Sequence, residues 1–261
     1  TSSDAIVLGA VTLANPVTID TDATDNSGDI TIGAVTGSSQ NFAMETGNNI
    51  AGADITVSGA IGSVATLMLD NVGGTATLSG DVDITTLDVD NTVANLIFSG
   101  DGSTVTNSFT PDNDGTLTLG TSGGTQTFNG GLNTASTDGT VTLNGSLVTS
   151  NDALTIGAAT LGSNTTLTSA GGAITTGAIT GSSSEDLTIT SSGGSTNTVT
   201  TSGTIGASSN INTIAITGAT SVSLGGNIST NDAAGNTVTV TGSTVDLNGI
   251  TVDTNNTNND G

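Results

Sequence analysis

Thr116-Leu117-Thr118-Leu119 returns 24 residues later as Thr140-Val141-Thr142-Leu143, and the same alternation recurs along much of the chain. In each run, aliphatic residues occupy every second position and threonine fills the positions between them, which is the pattern of a half-buried strand. Gly-Gly, Asn-Gly and Ser-Gly pairs close the runs, as turns between strands require. The sequence therefore predicts an all-β protein.

The spacing of these runs predicts how the strands are arranged. Ile30 and Ile55 lie 25 residues apart, and Leu154 and Leu167 lie 13 apart, so similar strands return after one or one half of a common length. A repeat of about 20 to 25 residues is typical of solenoid proteins. At about 22 residues per coil, the chain is predicted to form a right-handed parallel β-helix (β-solenoid) of about 12 coils. We assign residues 1–252 to one solenoid domain and residues 253–261 to a flexible tail or junction.

Tandem antiparallel β-sandwich domains are the alternative, because short strands at intervals of about 8 to 12 residues also fit that fold. A sandwich core usually relies on aromatic side chains. This chain has four, Phe42, Phe98, Phe109 and Phe128, all in its first half. A solenoid coil needs only a few inward aliphatic residues, because the coils above and below complete its core. The composition therefore favours the solenoid.

The composition also excludes several classes of function. Thr, Gly, Ser and Asn make up 148 of the 261 residues, and 23 acidic residues stand against no Lys, Arg or His, which gives a formal charge of −23. Without basic or stacking side chains, the chain lacks the groups that bind nucleic acid or an anionic membrane. It also lacks the histidine, cysteine and lysine that supply most catalytic bases and nucleophile activators. We expect no enzyme and neither of these partners.

One acidic cluster is a candidate metal site. Asp20, Asp22, Asp25 and Asp29 place four carboxylates within ten residues. Closely spaced oxygen ligands suit Ca²⁺, which takes six to eight of them. The order of the ligands does not match an EF-hand loop or a glycine-rich calcium repeat, and an acidic turn in open solvent is the competing interpretation. Ca²⁺ is the cofactor that this cluster suggests.

Thr-x-Thr units, such as residues 116–118, 140–142 and 237–239, predict outward threonines on a solenoid face. Their spacing along the sequence is irregular. The ordinary preference of threonine for strands therefore explains them.

Three stretches resemble a known group of proteins: Gly124-Thr125-Gln126-Thr127-Phe128-Asn129-Gly130, residues 161–168 and residues 172–179. They are similar to the large β-strand-repeat surface proteins of bacteria, of the filamentous-haemagglutinin type of adhesin. The resemblance extends over residues 115–194. It implies an exported, elongated β-helix used for attachment or cell-surface structure, with no catalytic residues to carry over.

These observations together predict a non-enzymatic extracellular structural protein, secreted or at the cell surface. We expect a segment or subunit of a bacterial surface fibre or adhesin. Coil ends expose unpaired backbone groups, so we expect self-association into fibres by end-to-end β-stacking. The alternatives are a glycan- or surface-binding module, which contacts a glycan or cell-surface ligand through outward Thr, Asn and Asp, and a polysaccharide hydrolase that uses paired carboxylates.

Overall fold

The computed structural model describes residues 4–22, 28–47, 52–194, 196–207 and 211–254. These residues form 23 strands joined by turns, and among them there is no helix, hence none that could cross a membrane. The strands are β1 (Ile6–Thr12), β2 (Val17–Asp20), β3 (Ile30–Gly47), β4 (Ile55–Val57), β5 (Ile61–Val72), β6 (Thr75–Leu78), β7 (Val82–Val89), β8 (Asn95–Phe98), β9 (Ser103–Val105), β10 (Leu117–Leu119), β11 (Thr125–Phe128), β12 (Leu132–Asn133), β13 (Val141–Thr149), β14 (Leu154–Ile156), β15 (Ala159–Ser169), β16 (Ile174–Thr176), β17 (Ile179–Gly181), β18 (Glu185–Ser191), β19 (Thr198–Thr201), β20 (Ile211–Leu224), β21 (Ile228–Ser229), β22 (Val238–Asp246) and β23 (Val252–Asp253).

All strand pairings in the described residues are parallel. Each rung pairs with the rung one turn away, as Ile30 does with Ile6 on one side and with Ile55 on the other. The fold is a right-handed parallel β-helix, and the predicted fold class is confirmed. The antiparallel sandwich alternative is wrong, because its hairpin pairings do not occur in this part of the chain.

The coils have three strand-bearing sides. We call the side that contains Ile6 face 1, the side that contains Val17 face 2, and the side that contains Val11 face 3. One ladder on face 1 runs the length of the fold. From its first rung to its last the chain makes eleven turns of about 22 residues, the predicted repeat length. At about 4.8 Å per turn, the rod is about 53 Å long. The rungs of this ladder are Ile6, Ile30, Ile55, Ala76, Leu96, Leu117, Val141, Ala159, Ile179, Ile205, Ile228 and Val252.

The other two faces carry equivalent inward ladders. Because alternate residues of a strand point to opposite sides, one aliphatic residue in two is enough to fill the interior. On face 2 the inward positions are Val17, Phe42, Leu67 and Leu87, then Phe109, Leu132, Leu154, Ile174, Val199, Val222 and Val245. On face 3 they are Val11, Val35, Ile61 and Val82, then Ser103, Gln126, Leu147, Leu167, Ile189, Ile216 and Val240.

One inward ladder changes from large to small side chains along the rod. A second inward ladder on face 3 begins with Val64, Ile84, Val105 and Phe128, and then continues as Thr149, Ser169, Ser191, Gly218 and Gly242. All four phenylalanines are fully buried, and three of them form one cluster in the middle of the rod. On this ladder, large side chains in the first half of the rod therefore give way to small ones in the second half.

Phe128 is the centre of this aromatic cluster. Its ring meets that of Phe98 edge-on at 6.2 Å and stacks on that of Phe109 at 5.7 Å. We expect Phe128→Ala to lower the free energy of unfolding by about 3–5 kcal/mol, because it leaves a cavity between fixed coils. Denaturant unfolding monitored by circular dichroism measures this loss. The matched control is Thr127→Ala on the outward side of the same strand, which should cost under about 1 kcal/mol. Equal losses in the two variants would contradict this assignment of the core.

Candidate functional site

Three of the predicted metal-site residues, Asp20, Asp22 and Asp29, lie where face 2 turns toward the next coil. Asp20 ends β2, and its carboxylate accepts a hydrogen bond of 2.7 Å from the amide of Asp22. The carboxylate of Asp29 instead accepts a hydrogen bond of 3.0 Å from the amide of Asp54, one coil further along. Asp25 lies outside the described residues. No group of three or more acidic, histidine or cysteine residues in the described segments is arranged to hold a metal ion. The four-residue site and Ca²⁺ therefore stay predictions.

The fold assembles a different acidic column at this corner. The amide of Asp90 donates to the carbonyl of Leu69 (3.2 Å), the residue before Asp70, so Asp90 lies next to Asp70 in the column. In the same way, the amide of Asp112 donates to the carbonyl of Val89 (3.4 Å), the residue before Asp90. Asp20 pairs in register with Glu45, and Glu45 pairs with Asp70. We call these five residues the corner acids, and they are Asp20, Glu45, Asp70, Asp90 and Asp112.

Sequence reasoning found Asp20 but missed its partners in the column, because no two of the corner acids are close in sequence. They are separated by 25, 25, 20 and 22 residues, which are the lengths of single coils. A search for acidic residues about one coil apart includes them, but coil length varies, so the spacing alone does not single them out. Part of their repulsion is offset by Thr92. Its hydroxyl donates to Asp70 Oδ1 and its amide donates to Asp90 Oδ1, both at 2.9 Å.

The two glutamates of the chain have opposite electrostatic environments. Burial raises the pKa of Glu45, and the charges of Asp20, Asp70 and Asp22 raise it further. Burial also acts to raise the pKa of Glu185, but hydrogen bonds outweigh it and the net pKa is lowered. The amides of Ser182 and Ser183 donate to Glu185 Oε2 at 2.9 and 3.0 Å, and the Ser182 hydroxyl donates to Oε1 at 2.8 Å. Ionised Glu45 therefore destabilises the fold, whereas ionised Glu185 stabilises it.

These shifts predict opposite pH dependence for two matched variants. At neutral pH, Glu45→Gln should raise the melting temperature and Glu185→Gln should lower it. The gain from Glu45→Gln should fade as the pH falls through the raised pKa of Glu45, because the wild-type side chain then takes up a proton. The loss from Glu185→Gln should fade as the pH falls through the lowered pKa of Glu185. Melting curves at neutral and acidic pH measure both effects, and shifts of the same sign would contradict the assignment.

A polar groove lies on the corner between faces 1 and 3. Its volume is about 580 Å³, and Ser122, Ser146, Ser163, Asn164 and Glu185 line it along four successive coils. The groove follows a tight turn at Gly145, where φ is +64° and a Cβ atom would overlap the carbonyl of Thr121. Glu185 is 5 % exposed, and with a lowered pKa its carboxylate is an acceptor of hydrogen bonds and not a proton donor. The groove offers hydroxyl, amide and carboxylate groups to a polar ligand, and glycan binding stays a prediction.

The first and last coils expose apolar side chains. We call the coil of β1 and β2 the head and that of β22 and β23 the tail. Most of the exposed side chains lie on rows that are buried elsewhere in the rod: Leu8 pairs with Ile32, and Val252 pairs with Ile228. Within the described residues, these rows are therefore uncovered at the head and the tail. The exposed large apolar residues of the described chain are Val7 (73 %), Leu8 (38 %), Val17 (37 %), Val245 (40 %), Leu247 (49 %) and Val252 (44 %).

Comparison with known proteins found no match to a protein-family model, a curated protein or a solved structure.

Proposed function

We propose that this chain is a non-enzymatic structural element of a bacterial surface fibre or adhesin, outside the cell, which assembles by end-to-end stacking of its coils. The exposure of core rows at the head and the tail is the observation that carries this proposal. Inside the rod, each inward aliphatic residue is covered by the rungs above and below it. At the ends, one of these two covers is missing, and an added coil would supply it.

The head and the tail match each other on faces 2 and 3. When a head stacks on the tail of a second copy, the face 3 ladder continues from Val240 to Val11, and Ile6 then takes the place of Val252 beside Ile228 on face 1. On face 2, Val245 meets Val17, which are both exposed in the single chain. This arrangement is heterologous and does not close on itself, so it leads to a growing filament and not to a closed dimer.

The charges at the two ends permit this contact. In the same register, Asp246 lies over Thr18, and Asp20 lies beyond the end of β22. No carboxylate of the tail strands is placed directly on one of the head strands, and like charges directly opposite would destabilise the pairing. The formal charge of −23 keeps the sides of rods apart and so favours growth along the axis.

An elongated rod of this kind suits the exterior of a cell. The resemblance of residues 115–194 to bacterial β-strand-repeat surface proteins supports the same setting. A chain without cysteine needs no disulfide in order to fold, because its core is continuous over all coils. The proposed role is therefore mechanical and adhesive.

Substitutions in the tail test the stacking. We expect the wild-type chain to form rods longer than about 53 Å as its concentration rises, seen by electron microscopy and light scattering. The variant Val245→Asp/Leu247→Asp should remain a single rod, because it places charges on the contact. The control Thr239→Asp/Thr241→Asp adds the same charge to the outward side of the same coil and should still assemble. A wild-type protein that stays a single rod at every concentration would overturn the proposal.

A further inference from the structure

Face 3 carries an outward array that has no role in coil stacking. On six successive rungs, the two outward positions of each strand form two parallel columns. We call these twelve residues the threonine grid. Its members, in pairs along the rod, are Thr125 and Thr127, Ser146 and Val148, Thr166 and Thr168, Thr188 and Thr190, Ala215 and Thr217, and Thr239 and Thr241.

The grid is regular in space although it is irregular in sequence. Its second column advances by 21, 20, 22, 27 and 24 residues, because turns of different length join the strands. Within the grid the register is continuous, and the irregularities of these strands lie outside it, between Leu143 and Gly145, Glu185 and Leu187, and Gly218 and Ser221. Rungs are therefore about 4.8 Å apart, and the two columns are about 6.8 Å apart. The irregular sequence spacing is thus no argument against an ordered array.

The grid is also free of charge. None of its twelve positions is acidic, in a chain with 23 acidic residues, and Asp186 lies at its edge beside Thr188. A second outward column, on face 1, is also mostly threonine and is interrupted once, by Ile97, as the grid is by Val148. The column beside it contains Asp29 and Asp54, so it is not free of charge. Face 3 therefore presents the widest uncharged array of hydroxyl and methyl groups that these ladders define.

The rigidity and repetition of the grid define its partner. Threonine is stiff at χ1, and each one is held on a strand that is paired on at least one side, so ordering the side chains further costs little entropy. A small soluble ligand would contact a few of the hydroxyls. A partner that is itself periodic in two dimensions would contact many at once, and its binding energy would grow with the number of contacts.

The chemistry of the grid favours water as that partner. Polyanions require basic side chains, which the chain lacks, and the grid has no aromatic platform for stacking on sugar rings. Hydroxyl groups both donate hydrogen bonds to water and accept them from it. The methyl groups between them form no hydrogen bonds, so the water molecules next to them bond to one another. We propose that the threonine grid binds the surface of ice. This role is independent of the head and tail contacts.

Partition into growing ice tests the proposal. Wild-type protein should be enriched in a slowly grown ice hemisphere and should shape ice crystals. The variant Thr168→Tyr/Thr190→Tyr should be excluded like a non-binding protein, because bulky rings on adjacent rungs keep the other hydroxyl groups of the grid away from the ice. The control Thr155→Tyr/Thr175→Tyr makes the same change on adjacent rungs of face 2 and should partition as the wild type does.

Circular dichroism establishes that the variants fold, and tyrosine is favoured in strands. Exclusion of the folded wild-type protein from ice would overturn the proposal. So would equal loss in the grid and control variants, or binding to crystalline cellulose in place of ice.

Discussion

The structure depends on one interaction, the stacking of inward aliphatic side chains on their equivalents in the next coil. The stacked ladders remove apolar surface from water on three sides of a narrow interior, while parallel hydrogen bonds hold the register. Each coil alone has too few apolar residues to form a core. Its stability therefore comes from its neighbours, as in other repeat proteins.

This constraint explains the unusual composition. A coil that needs only a few inward aliphatic residues leaves every other position open to small polar residues, and threonine suits the outward positions of strands. The same stacking brings outward residues into columns, whether or not their neighbours in sequence are alike. The corner acids and the threonine grid both arise in this way. An open rod also leaves its core rows uncovered at the head and the tail, and the proposed stacking follows from that.

The repeat could be predicted from the sequence, and the columns could not. Ile30 and Ile55 are aliphatic residues in similar runs, so their separation gave the coil length, and the structure places them on adjacent rungs. The candidate metal site was sought among neighbours in sequence, and the coil sends Asp29 to the next turn while it brings Glu45 onto Asp20. The turns between Thr190 and Thr217 are longer than those between Thr168 and Thr190, and this variation hid the regularity of the grid. Column membership depends on turn lengths, which local patterns do not determine.

Distances between spin labels on one outward ladder test the stacking most directly. Thr31, Thr118 and Thr180 lie on the same ladder of face 1, with four intervals between the first two and seven between the first and the last. The chain has no native cysteine, so cysteine pairs can be labelled without background. Narrow distance distributions centred near 19 Å for residues 31 and 118, and near 34 Å for residues 31 and 180, are expected from about 4.8 Å per rung. Distances that do not increase with the number of rungs, or broad distributions, would contradict the continuous stack.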